Sequence, residues 1–129
     1  MYDIISFKHG ATRTDIALAA SDIANAVRPG MSILADEAIR VTRLYADVPD
    51  SGTDMARQAF IGANGESFIT PKNAEEYGLR AAAHAAGTIF AICPALQLAA
   101  CCNMAIGTQI AGIEATVVDI LSQHNLIPR

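Results

Sequence analysis

Between Arg80 and Glu114 the chain carries no Asp, Glu, Lys or Arg, and His84 is the only imidazole in that run. Within it, small side chains recur every fourth position: Ala83, Gly87, Ala91, Ala95, Ala99, Gly107 and Ala111, continuing to Ala115, with Asn103 as the exception. Residues four apart share one face of a helix over a few turns, so such a stripe lets a second backbone approach closely. The C-terminal part therefore reads as helix built to be covered by other helices. Positions at this spacing drift around the axis, so close contact is expected over three or four turns at a time, with more than one neighbour.

Charge reinforces this division. Of the 22 charged residues, all but Glu114, Asp119 and Arg129 lie within residues 1–80. The first part can face water, whereas the second would expose a large apolar surface if left uncovered. A chain of 129 residues fits one domain. With no Trp and abundant Ala, its core must rely on tight helix–helix contact to reach normal packing density. The net charge of −4, with scattered basic residues, argues against a nucleic-acid surface, which needs a Lys/Arg stripe.

The coarse reading is a mainly α-helical bundle in a single domain. Residues 1–11 form an extended arm or edge strand, 12–80 polar-faced helices and a hairpin, and 81–125 the apolar assembly segment. Thr12 and Asp15 have capping-box spacing ahead of a helix to about Val27, with Ile16, Ala19, Ala20, Ile23 and Val27 on one side. Ser32 caps a second helix to about Ala46, with Asp36 and Arg40 as an i,i+4 pair. Ser51 and Asp54 suggest a short helix over 52–59. Asn64-Gly65, flanked by Phe60-Ile61-Gly62 and Ser67-Phe68-Ile69, predicts a small β-hairpin near residues 58–70. Thr70-Pro71 reads as the next helix start, with Glu76 and Arg80 as a pair. Pro94 then leaves either one kinked long helix or two helices, about 71–92 and 95–124. Ile106, Ile110, Ile113, Val117 and Ile120 make a heptad-like large stripe beside Gly107, Ala111 and Ala115.

The uncharged run exceeds the roughly 20 residues of a membrane span. It also holds His84, Thr88, Gln97, Asn103, Thr108 and Gln109, whose cost offsets the few strongly apolar residues. A buried helix is the preferred reading and a membrane-inserting oligomer using residues 81–113 the alternative. Met1-Tyr2-Asp3-Ile4 has neither the basic start nor the apolar core of a signal peptide, so the expected compartment is the cytoplasm.

Candidate chemistry is sparse. Cys93, Cys101 and Cys102 form no disulfide framework, since the count is odd and two are adjacent. No Cys-x-x-Cys or Glu-x-x-His spacing occurs, so no metal or cofactor is expected. His84, Cys93, Cys101 and Met104 remain as ligand or reactive candidates, with Cys101 and Met104 sharing a helix face suited to a soft ion. Cys93 and His84 lie on opposite sides of a continuous helix and form no dyad within it. Asn103 is expected to fix register at a helix crossing by bonding across it.

The function expected is structural: a non-enzymatic subunit that forms a homo-oligomer or polymer. Its interface would comprise Ala91, Ala95, Ala99, Asn103, Gly107, Ala111 and Ala115 with Ile106, Ile110, Ile113 and Val117. The rival to both structural readings is a small enzyme or ligand-binding protein with a pocket between helices.

Overall fold

A computed structural model describes residues 1–65 and 70–128 of the chain. They form a 3-10 turn at Ile4–Ser6 and six α-helices: α1 (Arg13–Ala26), α2 (Ile33–Tyr45), α3 (Pro49–Asn64), α4 (Ala74–Phe90), α5 (Pro94–Gly107) and α6 (Ile113–Gln123). The helical bundle read from the sequence is present.

The first two helices begin where local chemistry places them. Thr12 Oγ1 accepts from the Asp15 amide and Ser32 Oγ from the Ala35 amide, each satisfying a free N–H of the first turn. Ile16, Ala19, Ala20, Ile23 and Val27 are all buried, as the spacing predicts. The surface pairing differs from expectation. Asp36 bonds Arg28 at 2.6 Å, and Arg40 bonds Glu37 at 2.7 Å rather than Asp36.

The hairpin is not formed, and no described residue lies in a strand. Pro49 occupies the first turn of α3, and Gly52, Ala56, Ala59 and Ala63 are its buried residues. That helical period carries through Phe60-Ile61-Gly62, overriding their β propensity. Asn64-Gly65 ends the helix instead of turning a hairpin, with Gly65 at φ +72° and its N–H on Ile61 O. Ser67-Phe68-Ile69, the other expected strand, lie outside the described residues.

The next helix starts later than Thr70-Pro71 suggests. Asn73 Oδ1 takes the Glu76 amide, while the Glu76 carboxylate reaches back 2.6 Å to the Lys72 amide. The cap thus lies three residues beyond Thr70, with Asn73 serving the Glu76 amide and Glu76 the amide just ahead of the cap.

The apolar segment is neither one kinked helix nor a pair but three helices. α4 ends at Phe90 and Pro94 starts α5, as the proline demands. A second break separates α5 from α6, where Gln109 (φ +57°) and Gly112 (φ +76°) adopt left-handed conformations. There Thr108 Oγ1 donates to Ala105 O and accepts from the Ile110 amide, giving the backbone an alternative to helix. No helix among the described residues is long and apolar enough to cross a membrane.

At the centre lies α4, which packs against α1, α2, α3 and α5. Ala81, Ala82, Ala83, Ala85 and Ala86 are completely buried, around the helix rather than along one side. Four neighbours fit because the central side chains are methyl groups or hydrogen, and larger ones on the surrounding helices (Ile23, Val41, Leu98) supply the volume. Arg13, at the start of α1, donates to Thr88 O in the last turn of α4 at 2.7 Å, satisfying a carbonyl the helix itself leaves free.

Candidate functional site

The small-residue stripe is divided among different environments. Ala83, Gly87 and Ala99 are buried in the chain's own core, and Ala91 and Ala95 are half-buried at the α4–α5 corner. Two of its glycines are occupied from within. A Cβ on Gly87 would collide with the Gln97 side chain, and one on Gly107 with the Tyr77 ring. Ala111 and Ala115 are exposed. Of the larger residues, Ile113 and Val117 are buried, Ile106 is half-buried and Ile110 is exposed. These positions do not share a single surface.

Asn103 has partners inside the chain. The Tyr2 amide donates to Asn103 Oδ1, and Asn103 Nδ2 donates to Tyr2 O, both at 2.9 Å. One side-chain amide thus reads both main-chain groups of a single residue, as a neighbouring strand would. Further along the arm, the Tyr2 and Phe7 rings stack with centroids 6.2 Å apart and Phe7 enters the core. The Lys8 amide donates to Leu126 O, and Lys8 Nζ to Asn125 Oδ1, both at 2.7 Å. Among the helices, the Ile4–Ser6 turn contacts α5 alone. A groove of about 410 Å³ between arm and body is bordered by Ile4, Ile5, Phe7, Ile16 and Ala95. The arm therefore lies on the side of α5 that carries Ala95 and Asn103.

His84 sits in α4 facing α3 and α5. Its Nδ1 is 2.8 Å from Gln97 Oε1, and its ring meets Phe60 edge-on at 5.8 Å. With an amide oxygen opposite, Nδ1 carries the proton of the neutral ring. Burial lowers its pKa, the Gln97 bond opposes that shift, and the nearby positive charge of Arg80 adds to it. Phe60 also meets Phe90 edge-on, and the Arg57 guanidinium lies over the Phe90 ring at 5.4 Å. His84 is thus held as a neutral packing group.

The cysteines divide cleanly. Cys93 is exposed ahead of α5, while Cys101 and Cys102 are buried. Burial pushes the Cys101 thiol well up and that of Cys102 up to about 12, so both stay protonated and lack nucleophilic thiolate at neutral pH. Cys101 Sγ donates weakly to Ala20 O at 3.5 Å, and Met104 is a half-buried packing residue. Among the described residues, no three His, Cys, Asp or Glu side chains group to hold a metal ion.

One polar cluster escapes sequence reading. Asp22 accepts from Arg43 at 3.0 Å and lies 2.8 Å from His124 Nε2, joining α1, α2 and the end of α6. Arg43 also donates to Ser21 Oγ at 3.3 Å. The group superficially offers serine, histidine and aspartate, but its geometry is that of a strut. Ser21 is buried, its hydroxyl proton is directed to Leu18 O at 2.8 Å, and the bonded nitrogen of His124 faces Asp22. Nothing near these residues in sequence signals a partner about a hundred positions away.

The described apolar surface is richer in large side chains than the charge distribution suggests. Ile5 is 88% exposed and Ile92 fully so, with Ile4 and Leu96 about half exposed. Ile4 and Ile5 border the groove that Ala95 lines, and Ile92 and Leu96 lie within one turn of Ala95 along the chain. Set beside known proteins, the chain matches no family model, no curated protein and no solved structure.

Proposed function

We propose that this chain is a non-enzymatic structural subunit that associates with copies of itself. The observation that carries this reading is the apolar surface around the arm and the start of α5. Ile4, Ile5, Ile92 and Leu96 remain in water in a single copy. Covering such side chains contributes roughly 25 cal/mol for each Å² removed from water, which makes association the natural fate of this face.

The small-residue stripe is divided between the chain's own core and its surface. Residues already in the core, such as Ala99, Ile113 and Val117, contact a second copy only if the fold opens. What supports association is the apolar surface left over: the arm face, Met31, Ile33, Leu34 and Ile61 on the α2 and α3 side, and Ile110 near the α5–α6 turn.

The test is absolute mass by light scattering, for the parent and for Ile5→Glu combined with Ile92→Glu. Both side chains are in water in one copy, so the change leaves thermal unfolding near the parent value. An oligomeric parent and a monomeric double variant are expected. A parent that is monomeric at high micromolar concentration overturns the proposal.

A further inference from the structure

Between the end of α1 and the length of α2 lies a groove of about 630 Å³. Arg28 lines it from the α1 side and Arg40 and Arg43 from α2, together with the apolar side chains of Ile39 and Leu44. Three of the chain's nine basic residues thus meet in one groove, against one of its thirteen acids, Asp36. The lining carries a net +2, three arginines less one aspartate, on a chain whose net charge is −4. All three cations are arginines, whose planar forks suit a carboxylate or a phosphate.

Each fork is already oriented by a carboxylate of the chain. Arg28 Nη1 bonds Asp36 at 2.6 Å, and Arg40 holds Glu37 through Nε and Nη2 at 3.0 and 2.7 Å. Arg43 Nη2 reaches Asp22 at 3.0 Å while its Nε donates to Ser21. Glu37, Asp22 and Ser21 do not line the groove, so Arg40 and Arg43 are held from outside it. Among the described residues, Nη1 of Arg40 and Arg43 and both Nε and Nη2 of Arg28 have no partner. The paired side chains are about half exposed, where an ion pair is weak. An incoming anion therefore meets donors that are positioned but not spent.

We infer that this groove binds an amphipathic organic anion, an alkyl phosphate or carboxylate. Its head is taken by the arginine forks and its apolar chain lies against Ile39 and Leu44. Ile39 is nearly buried and forms the floor, while Leu44 is half exposed and is the side chain that a bound ligand removes from water. The site is independent of the self-association proposed above, which draws on other residues.

The probe is hexyl phosphate, titrated calorimetrically into the whole chain at low salt, beside inorganic phosphate and hexanol. Saturable binding of one hexyl phosphate per chain is expected, with either half of the molecule at least about tenfold weaker. Arg28→Gln combined with Arg40→Gln should weaken binding at least about tenfold, with thermal unfolding near the parent value because both side chains are in water. Leu44→Glu leaves every arginine in place and adds a negative charge to the groove, and the same weakening is expected. No saturable binding up to millimolar probe overturns the proposal, as does binding that both variants leave unchanged. Inorganic phosphate binding as tightly as hexyl phosphate overturns the amphipathic ligand. Sedimentation with phosphatidylcholine vesicles, with and without phosphatidic acid, then separates the sources of such a head. Pelleting that needs phosphatidic acid and is lost in the double variant assigns it to a lipid, and protein left in the supernatant assigns it to a soluble anion.

Discussion

A Cβ on Gly78 would stand 2.6 Å from the main-chain oxygen of Val27. The first buried turn of α4 is thereby pressed against the end of α1, with Pro29 at 3.1 Å beside it. A backbone oxygen cannot swing aside as a side chain can. Gly78→Ala should destabilise the fold by about 1–3 kcal/mol despite the better helix propensity of alanine. Gly62 in α3 is the control, because a Cβ there meets only Leu34 Cδ2 at an ordinary 3.6 Å. Gly62→Ala should stabilise by up to about 1 kcal/mol. Urea midpoints of the two variants should move in opposite directions, and a stable Gly78→Ala would contradict the close approach.

Removing the Asn103 amide leaves the Tyr2 N–H and C=O without their partners. Asn103→Ala should cost about 1–3 kcal/mol and raise hydrogen exchange of the Tyr2 amide to the rate of an open chain. Protection that survives the substitution would contradict the bond between the Tyr2 amide and Asn103.

The pH dependence follows from His84. Its folded pKa is lowered by burial, so on acidification the unfolded chain takes up the proton first. Stability from this group is complete above the ordinary value of 6.5 and is lost as pH falls below it toward the folded pKa. The loss per pH unit stays below the one-proton limit of about 1.4 kcal/mol. Comparing unfolding at pH 7.5 and 5 for the parent and His84→Gln isolates the effect. Equal pH dependence in the two proteins would rule it out.

Thiol reactivity should be stepwise. At pH 8 the folded chain should react with a disulfide reagent at Cys93 alone, and Cys101 and Cys102 should follow only on unfolding. Three fast equivalents from the native protein would place the buried pair in water.

How far the sequence carries can be judged element by element. The starts of α1 and α2 were legible because Thr12 and Ser32 act on amides three residues away, a purely local bond. The buried side of α1 followed from its period. The hairpin failed at Phe60-Ile61 because a local β preference met a helix whose Ala56, Ala59 and Ala63 were already committed to the core. The break at Gln109–Gly112 was invisible for a related reason: no proline marks it, and one of its two left-handed residues is Gln109, a type with no turn preference of its own. Asn103 was expected to bond across a helix crossing, whereas its amide holds the main chain of Tyr2 in the non-helical arm, 101 residues away. The Asp22, Arg43 and His124 strut depends on three distant segments and left no local trace.

The central position of α4 has a consequence for when this molecule acquires its structure. α1, α2 and α3 are complete by residue 64, yet each packs on a helix that ends at residue 90. During synthesis the first half of the chain must wait with its apolar faces uncovered, and only the emergence of the alanine helix lets those faces close around it. The Tyr2 and Lys8 bonds wait longer still, for Asn103 and Leu126. The beginning of the chain is thus among the last parts to settle, since its seat is made of residues near the chain's other end.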